Sequence, residues 1–139
     1  MRIVVDTNII FSALIAKGKT RQILLREEME FYAPEFFFKE LRKYIKDISE
    51  KSGLESRDVK ILLGLLLENI QIVPKSTFEH NLLQAKELIG DIDPDDVPFL
   101  ALALSLKRGV IWTEDKDFRK QKKVKTITTR EMINQVGLG

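Results

Sequence analysis

The sequence contains no cysteine and a single histidine, His80. Without cysteine, disulfide scaffolds, thiol catalysis, iron–sulfur clusters and Cys-based zinc sites are excluded together. One histidine excludes most His-rich metal sites and leaves Ser–His or Cys–His mechanisms without support. No run of about 18 apolar residues occurs, so no membrane-spanning helix is expected. The short apolar run after Met1 and Arg2 stops at Asp6. It lacks the long stretch and small-residue cleavage site of a signal peptide, and a cytoplasmic protein is expected. Glycine and proline are few, seven and four in 139 residues, and no low-complexity segment, internal repeat or linker is visible. Hydrophobic residues make up 44% and charged residues 32%. That balance argues against disorder and, at this length, for one domain over residues 1–139 with one core.

What remains for chemistry is the carboxylates. The 23 basic and 21 acidic residues nearly cancel, 23 − 21 = +2, but they are not evenly spread. Residues 91–96 read DIDPDD, and residues 119–125 read RKQKKVK. An acidic cluster close in sequence to a basic run suits metal and phosphate chemistry, and it also suits an ordinary charged surface.

Short β-branched or apolar runs at residues 2–5, 31–33, 70–73, 110–112 and 125–128 predict strands. Helices are predicted between them: residues 9–15 with Asn8 as cap, 21–29, 35–52 closed by Gly53, 57–69 capped by Ser56, 76–89 closed by Gly90, 97–107 ended by Gly109, and a last helix from Thr129. Strands alternating with helices predict an α/β fold, a parallel sheet with helices on both faces. In such sheets, sites form beyond the carboxyl ends of the strands.

Asp6 directly follows the first strand, and Asp115 follows the fourth, with Asp117 two residues on. Each suits either a turn or cap, or a site at the sheet edge. Asp96 opens a helix that is apolar almost all round. An acid there is favoured by the helix dipole by about 0.3–1 kcal/mol. The dipole does not account for four acids crowded together, whose repulsion a bound cation would relieve. Glu40 lies at the border of an apolar stripe formed by Phe37, Phe38, Leu41, Tyr44, Ile45 and Ile48. It is placed either to reach a cleft or to sit in solvent. Oxygen-only ligands select hard cations such as Mg²⁺ or Mn²⁺. Two other motifs fail. An EF-hand from Asp91 would need Gly at residue 96 and Glu at residue 102, where Asp96 and Leu102 stand. Gly18-Lys19-Thr20 ends like a phosphate-binding loop, but Ala13 replaces its first glycine and the segment between reads as helix.

Four motifs occur in order: Ile3-Val4-Val5-Asp6-Thr7-Asn8, Glu40 in the segment 34–41, Asp93-Pro94-Asp95-Asp96 followed by Leu100-Ala101-Leu102-Ala103, and Trp112-Thr113-Glu114-Asp115-Lys116-Asp117-Phe118. In these the chain resembles PIN-domain ribonucleases, especially the toxin components of prokaryotic type II toxin–antitoxin pairs. The resemblance covers essentially the whole chain. It implies a three-layer α/β/α sandwich around a parallel sheet of about five strands. It implies a catalytic quartet of Asp6, Glu40, Asp96 and Asp115, with Asp6, Asp96 and Asp115 holding Mg²⁺ or Mn²⁺. Asn8 and Asp117 would support the site, and Asp96 rather than Asp95 fits the register. The implied activity is metal-dependent cleavage of single-stranded RNA.

The basic run offers Arg119, Lys120, Lys122 and Lys123 as RNA phosphate contacts, or as a solvated face. Residues 61–67, apolar on nearly every side, suit either core packing or an interface. A homodimer and capture of an antitoxin are both implied by the resemblance. The competing readings are an RNA-processing or decay nuclease without an antitoxin, and a non-cleaving RNA- or nucleotide-binding module.

Overall fold

A computed structural model describes residues 1–91 and 93–138; Ile92 of the acidic segment and Gly139 lie outside the described residues. The five apolar runs become strands β1 (Arg2–Val5), β2 (Glu30–Pro34), β3 (Ile70–Val73), β4 (Gly109–Trp112) and β5 (Lys125–Ile127). They form one sheet in the order β3-β2-β1-β4-β5, and every neighbouring pair is parallel. β1 therefore sits at the centre, and Val5 is level with Trp112 of β4.

Side chains alternate across a strand, so the inner strands feed two cores. Ile3, Val5, Phe31 and Trp112 face one core, with α1 (Thr7–Ile15), α2 (Lys19–Leu24), α3 (Phe36–Ser52) and α4 (Ser56–Leu67) around it. Val4 and Ile111 face the other, with α5 (Lys75–Phe78), α6 (Leu82–Ile89) and α7 (Val97–Ser105). The last helix, α8 (Thr129–Gln135), places Met132 in the first core. Helices thus cover both faces of the sheet, as the alternation of elements predicts. α7 is buried almost throughout, which its all-round apolar sequence requires. Among the described residues no helix is long and apolar enough to cross a membrane.

Three helices differ from the sequence expectation. α1 starts at Thr7 with Asp6, not Asn8, in the capping position, because the Asp6 carbonyl already accepts from Ile9 (3.0 Å) and Ile10 (3.4 Å). α2 stops at Leu24 rather than residue 29. The Asn69 amide donates to the carbonyls of Leu24 (2.9 Å) and Arg26 (2.6 Å), satisfying groups that a longer helix would use. The single helix expected over residues 76–89 breaks at a 3₁₀ turn, Glu79–Asn81. There the Asn81 amide donates to the Ser105 hydroxyl on α7 at 2.8 Å. α3 ends as expected at Gly53, whose φ of 73° is the left-handed cap conformation that glycine adopts freely.

Residues 13–15 belong to α1, and Arg21 Nε donates to the Ala13 carbonyl at 2.7 Å, so the segment before Gly18 forms no phosphate cradle.

A tight backbone approach lies at the start of β4. A Cβ on Gly109 would stand 2.6 Å from the Ala103 carbonyl oxygen, a backbone atom that cannot swing aside. Gly109→Ala is expected to destabilise the protein by about 1–3 kcal/mol, read as a lower urea midpoint with an unchanged slope.

Candidate metal centre

The carboxyl ends of β1 and β4 lie side by side, and the chain crosses from strand to loop at the same level in both. The Asp6 amide continues the ladder by donating to the Trp112 carbonyl at 3.1 Å. One residue further, the Thr113 hydroxyl donates to Asp6 Oδ2 at 2.7 Å. The same hydroxyl oxygen accepts from the Asp115 amide at 2.9 Å. Thr113 thus fixes Asp6 and turns the loop that presents Asp115. Asp115 Oδ1 in turn accepts from the Asp117 amide at 2.9 Å, which starts the 3₁₀ turn Lys116–Lys120.

The acidic segment folds in a similar way. Asp93 Oδ1 accepts from the Asp95 amide at 2.9 Å and opens the 3₁₀ turn Pro94–Asp96. That turn leads directly into α7 and points Asp96 inward. On α3, Glu40 Oε1 accepts from the Thr7 hydroxyl at 2.5 Å.

Asp6, Glu40, Asp93, Asp95, Asp96 and Asp115 all line one cavity of about 380 Å³. Carboxylate oxygens of Asp96, Asp115 and Asp117 lie within 4.8 Å of one another. Ligands on opposite sides of a hard cation stand about 4–5 Å apart, so this spacing suits one ion. Asp96 is only 8% exposed, and its Oδ2 is buried with no hydrogen-bond partner among the described residues. A buried carboxylate oxygen left without a donor is costly unless a proton or a cation meets it. The donor set is all oxygen, as Mg²⁺ or Mn²⁺ prefers. The residues present fit such an ion.

The electrostatics agree with the geometry. Burial pushes the Asp96 carboxyl up to about 8, and Asp93, Asp115, Asp6 and Asp117 add to the rise. Burial pushes Asp6 up to about 6 against the Thr113 hydrogen bond, with Asp115 and Asp93 raising it further. Glu40 is also raised, first by burial and then by Asp6, Asp95 and Asp93, although the Thr7 hydroxyl favours its charged form.

Set beside the sequence expectations, the fold brings Asp6, Glu40, Asp96 and Asp115 to one cavity. Asp117 joins Asp96 and Asp115 in the tight carboxylate group. Asn8 lines the cavity, but its side chain makes no hydrogen bond among the described residues. Arg119, Lys120, Lys122 and Lys123 are exposed and do not line it. Lys120 pairs with Asp117 at 3.1 Å. Gln121 closes their loop by bonding Phe118 and Val124 at 2.8 Å, which turns the basic side chains outward. Thr7, Thr113 and Asp93 carry parts of the site that residue type and spacing did not single out. The signal available for Asp93 was its place before Pro94, where an acid caps a turn.

A parallel α/β sheet with a carboxylate cluster at its carboxyl edge defines the class of protein. The chain belongs to the PIN-domain family, whose match spans residues 4–136. PIN domains are generally nucleases that use divalent metals. Among solved structures it is similar to the crystal structure of PAE2754 from Pyrobaculum aerophilum. The TM-score is 0.72 with 11% identity, covering 100% of this chain and 91% of that one. At this identity the similarity establishes the fold. No curated protein matches the sequence.

An acid whose pKa is higher in the folded protein than in the unfolded chain binds its proton preferentially in the fold. Its stabilisation is present at low pH and is lost as the pH rises through that window. The metal-free protein should therefore lose thermal stability from near pH 4 towards about pH 8, with Asp6 titrating first and Asp96 last. Mn²⁺ should raise the melting temperature more at pH 8 than at pH 5, and Asp96→Asn should flatten both trends. Calorimetry across that range with and without EDTA measures them.

Proposed function

We propose that this protein is a Mg²⁺- or Mn²⁺-dependent endoribonuclease that hydrolyses single-stranded RNA, as the toxin of a type II toxin–antitoxin pair. The observation that carries the hydrolase reading is Asp96 Oδ2, buried and unpartnered among carboxylates that share one cavity. Asp96 and Asp115 would hold the cation, with Asp6 and Asp117 beside them. When bound, the cation supplies Lewis-acid polarisation of the phosphodiester and lowers the pKa of a water.

The chain's own residues do the rest. Thr113 holds Asp6 through Oδ2 and so keeps its carboxylate at the sheet edge. Thr7 holds Glu40 through Oε1 and leaves Oε2 without a protein donor among the described residues. In this reading Glu40 Oε2, left free by that bond, would orient the attacking water and accept its proton. In-line attack would leave a 5′-phosphate and a 3′-hydroxyl. RNA is the substrate by resemblance to PIN-domain toxins, and an unpaired strand suits an open groove.

The toxin reading also assigns partners. On α4, Leu63 and Leu66 are buried, whereas Ile61 is 60% and Leu65 50% exposed. Part of this apolar helix thus faces outward, which supports a homodimer or an antitoxin contact. The exposed Arg119, Lys122 and Lys123 would attract RNA phosphates from outside the cavity.

With Mn²⁺, the wild type should cleave a single-stranded RNA, and EDTA should abolish cleavage. Asp96→Asn and Asp115→Asn should each lower kcat by at least about a hundredfold while retaining the circular dichroism of the fold. Wild-type rates in both variants would refute the assignment. For the interface, paired Ile61→Glu and Leu65→Glu should convert a dimer to a monomer in light scattering; a wild-type monomer would exclude the homodimer.

A further inference from the structure

The cavity that holds the carboxylates continues beyond them. α3 supplies Glu40, Tyr44, Asp47, Ile48 and Lys51 to its wall. These positions fall on one helical face. At about 1.5 Å per residue, Tyr44 stands about 6 Å and Lys51 about 16 Å along the axis from Glu40. Phe11 and Ile15 of α1 line the same end, which combines apolar side chains with Asp47 and Lys51 where the other end is acidic.

Tyr44 falls in the apolar stripe of α3 by its spacing, yet it is 39% exposed. Its ring is braced edge-on against Phe11, with centroids 5.9 Å apart and planes at 67°. Lys43 Nζ lies over the Tyr44 ring, 5.3 Å from its centroid, on an exposed stem, so a stacking base takes the other face or displaces this ammonium. Among the described residues lining the cavity, Lys51 is the one cation, and it makes no ion pair. Asp47 stands between Tyr44 and Lys51 and opposes any anion there.

We infer that this end of the cavity, around Tyr44 and Lys51, is a nucleobase subsite. An unpaired base next to the scissile phosphate stacks on Tyr44, and a phosphate further along the strand meets Lys51 Nζ. A braced aromatic ring with an ammonium beyond it matches the alternation of base and phosphate in one strand. A duplex keeps its bases inside the stack and offers none to Tyr44. The position of the scissile phosphate rests on the nuclease reading; the stacking and the phosphate contact do not.

The test uses a short fluorescein-labelled single-stranded RNA. Its affinity is measured by anisotropy in EDTA, and its KM and kcat by cleavage with Mn²⁺. Tyr44→Ala should weaken binding and raise KM about tenfold with kcat nearly unchanged, and Tyr44→Phe should restore both. Lys51→Ala should weaken binding and reduce the salt slope by about 0.7. Asp47→Asn should tighten binding, an effect of opposite sign that loss of folding cannot produce. Thermal melts confirm the fold of each variant. Unchanged affinity and KM in both Tyr44→Ala and Lys51→Ala would overturn the subsite even if the wild type cleaves. Binding that depends on Tyr44 and Lys51 without cleavage would uphold the subsite and refute the nuclease reading. A wild type that neither binds nor cleaves RNA would overturn both.

Discussion

Asp96 is held out of water with other carboxylates around it, and much of the surrounding structure serves that unfavourable placement. Its Oδ2 has no donor among the described residues, and its carboxyl is pushed up to about 8. Left alone, such a side chain would gain by turning to solvent. The chain prevents this because Asp96 ends one 3₁₀ turn and begins a helix that is apolar almost throughout. The buried residues of α7 anchor that helix between the sheet and α6. Hydrophobic packing of α7 thus offsets the electrostatic strain at its N-terminus.

The same trade recurs at Asp6. Ile3, Val4 and Val5 of β1 are fully buried at the centre of the sheet, so the residue that follows them has little freedom to move away. Thr113 supplies one hydrogen bond, and Asp115 and Asp93 supply repulsion. Each acid that lines the cavity is placed by one of four elements: β1, α3, the turn before α7, or the loop after β4. A cluster assembled this way is preorganised by the fold and uncompensated by protein cations at its centre. That is the condition under which a divalent cation, and through it a phosphodiester, is attracted.

Much of this was legible in the linear chain. Strands were readable because short β-branched or apolar runs stop at Asp6, Pro34, Pro74 and Thr113. The buried nature of α7 was readable because its apolar residues show no polar face. Asp6 and Asp115 were recognisable as sheet-edge acids because each follows such a run closely. Thr7, Thr113 and Asp93 were not, since their roles depend on hydrogen bonds across loops whose conformation has no period. By its spacing Tyr44 belongs to the apolar stripe of α3, yet it is exposed. Helical periodicity reports which face a residue shares, not whether a neighbour covers that face, and at Tyr44 the cover is a cavity.

The sequence by itself determined the parts: five strands with helices between them, no sulfur or imidazole set for a metal, and acids where strands end. Periodicity and residue chemistry are local, so they can be read without coordinates. Only the tertiary structure decided that β1 lies beside β4, which lets Thr113 reach Asp6 across 107 residues, and that Asp117 stands with Asp96 and Asp115. Those contacts arise from strand order and loop closure, and the energy that selects them is the burial of two cores against a shared sheet, a property of the whole chain.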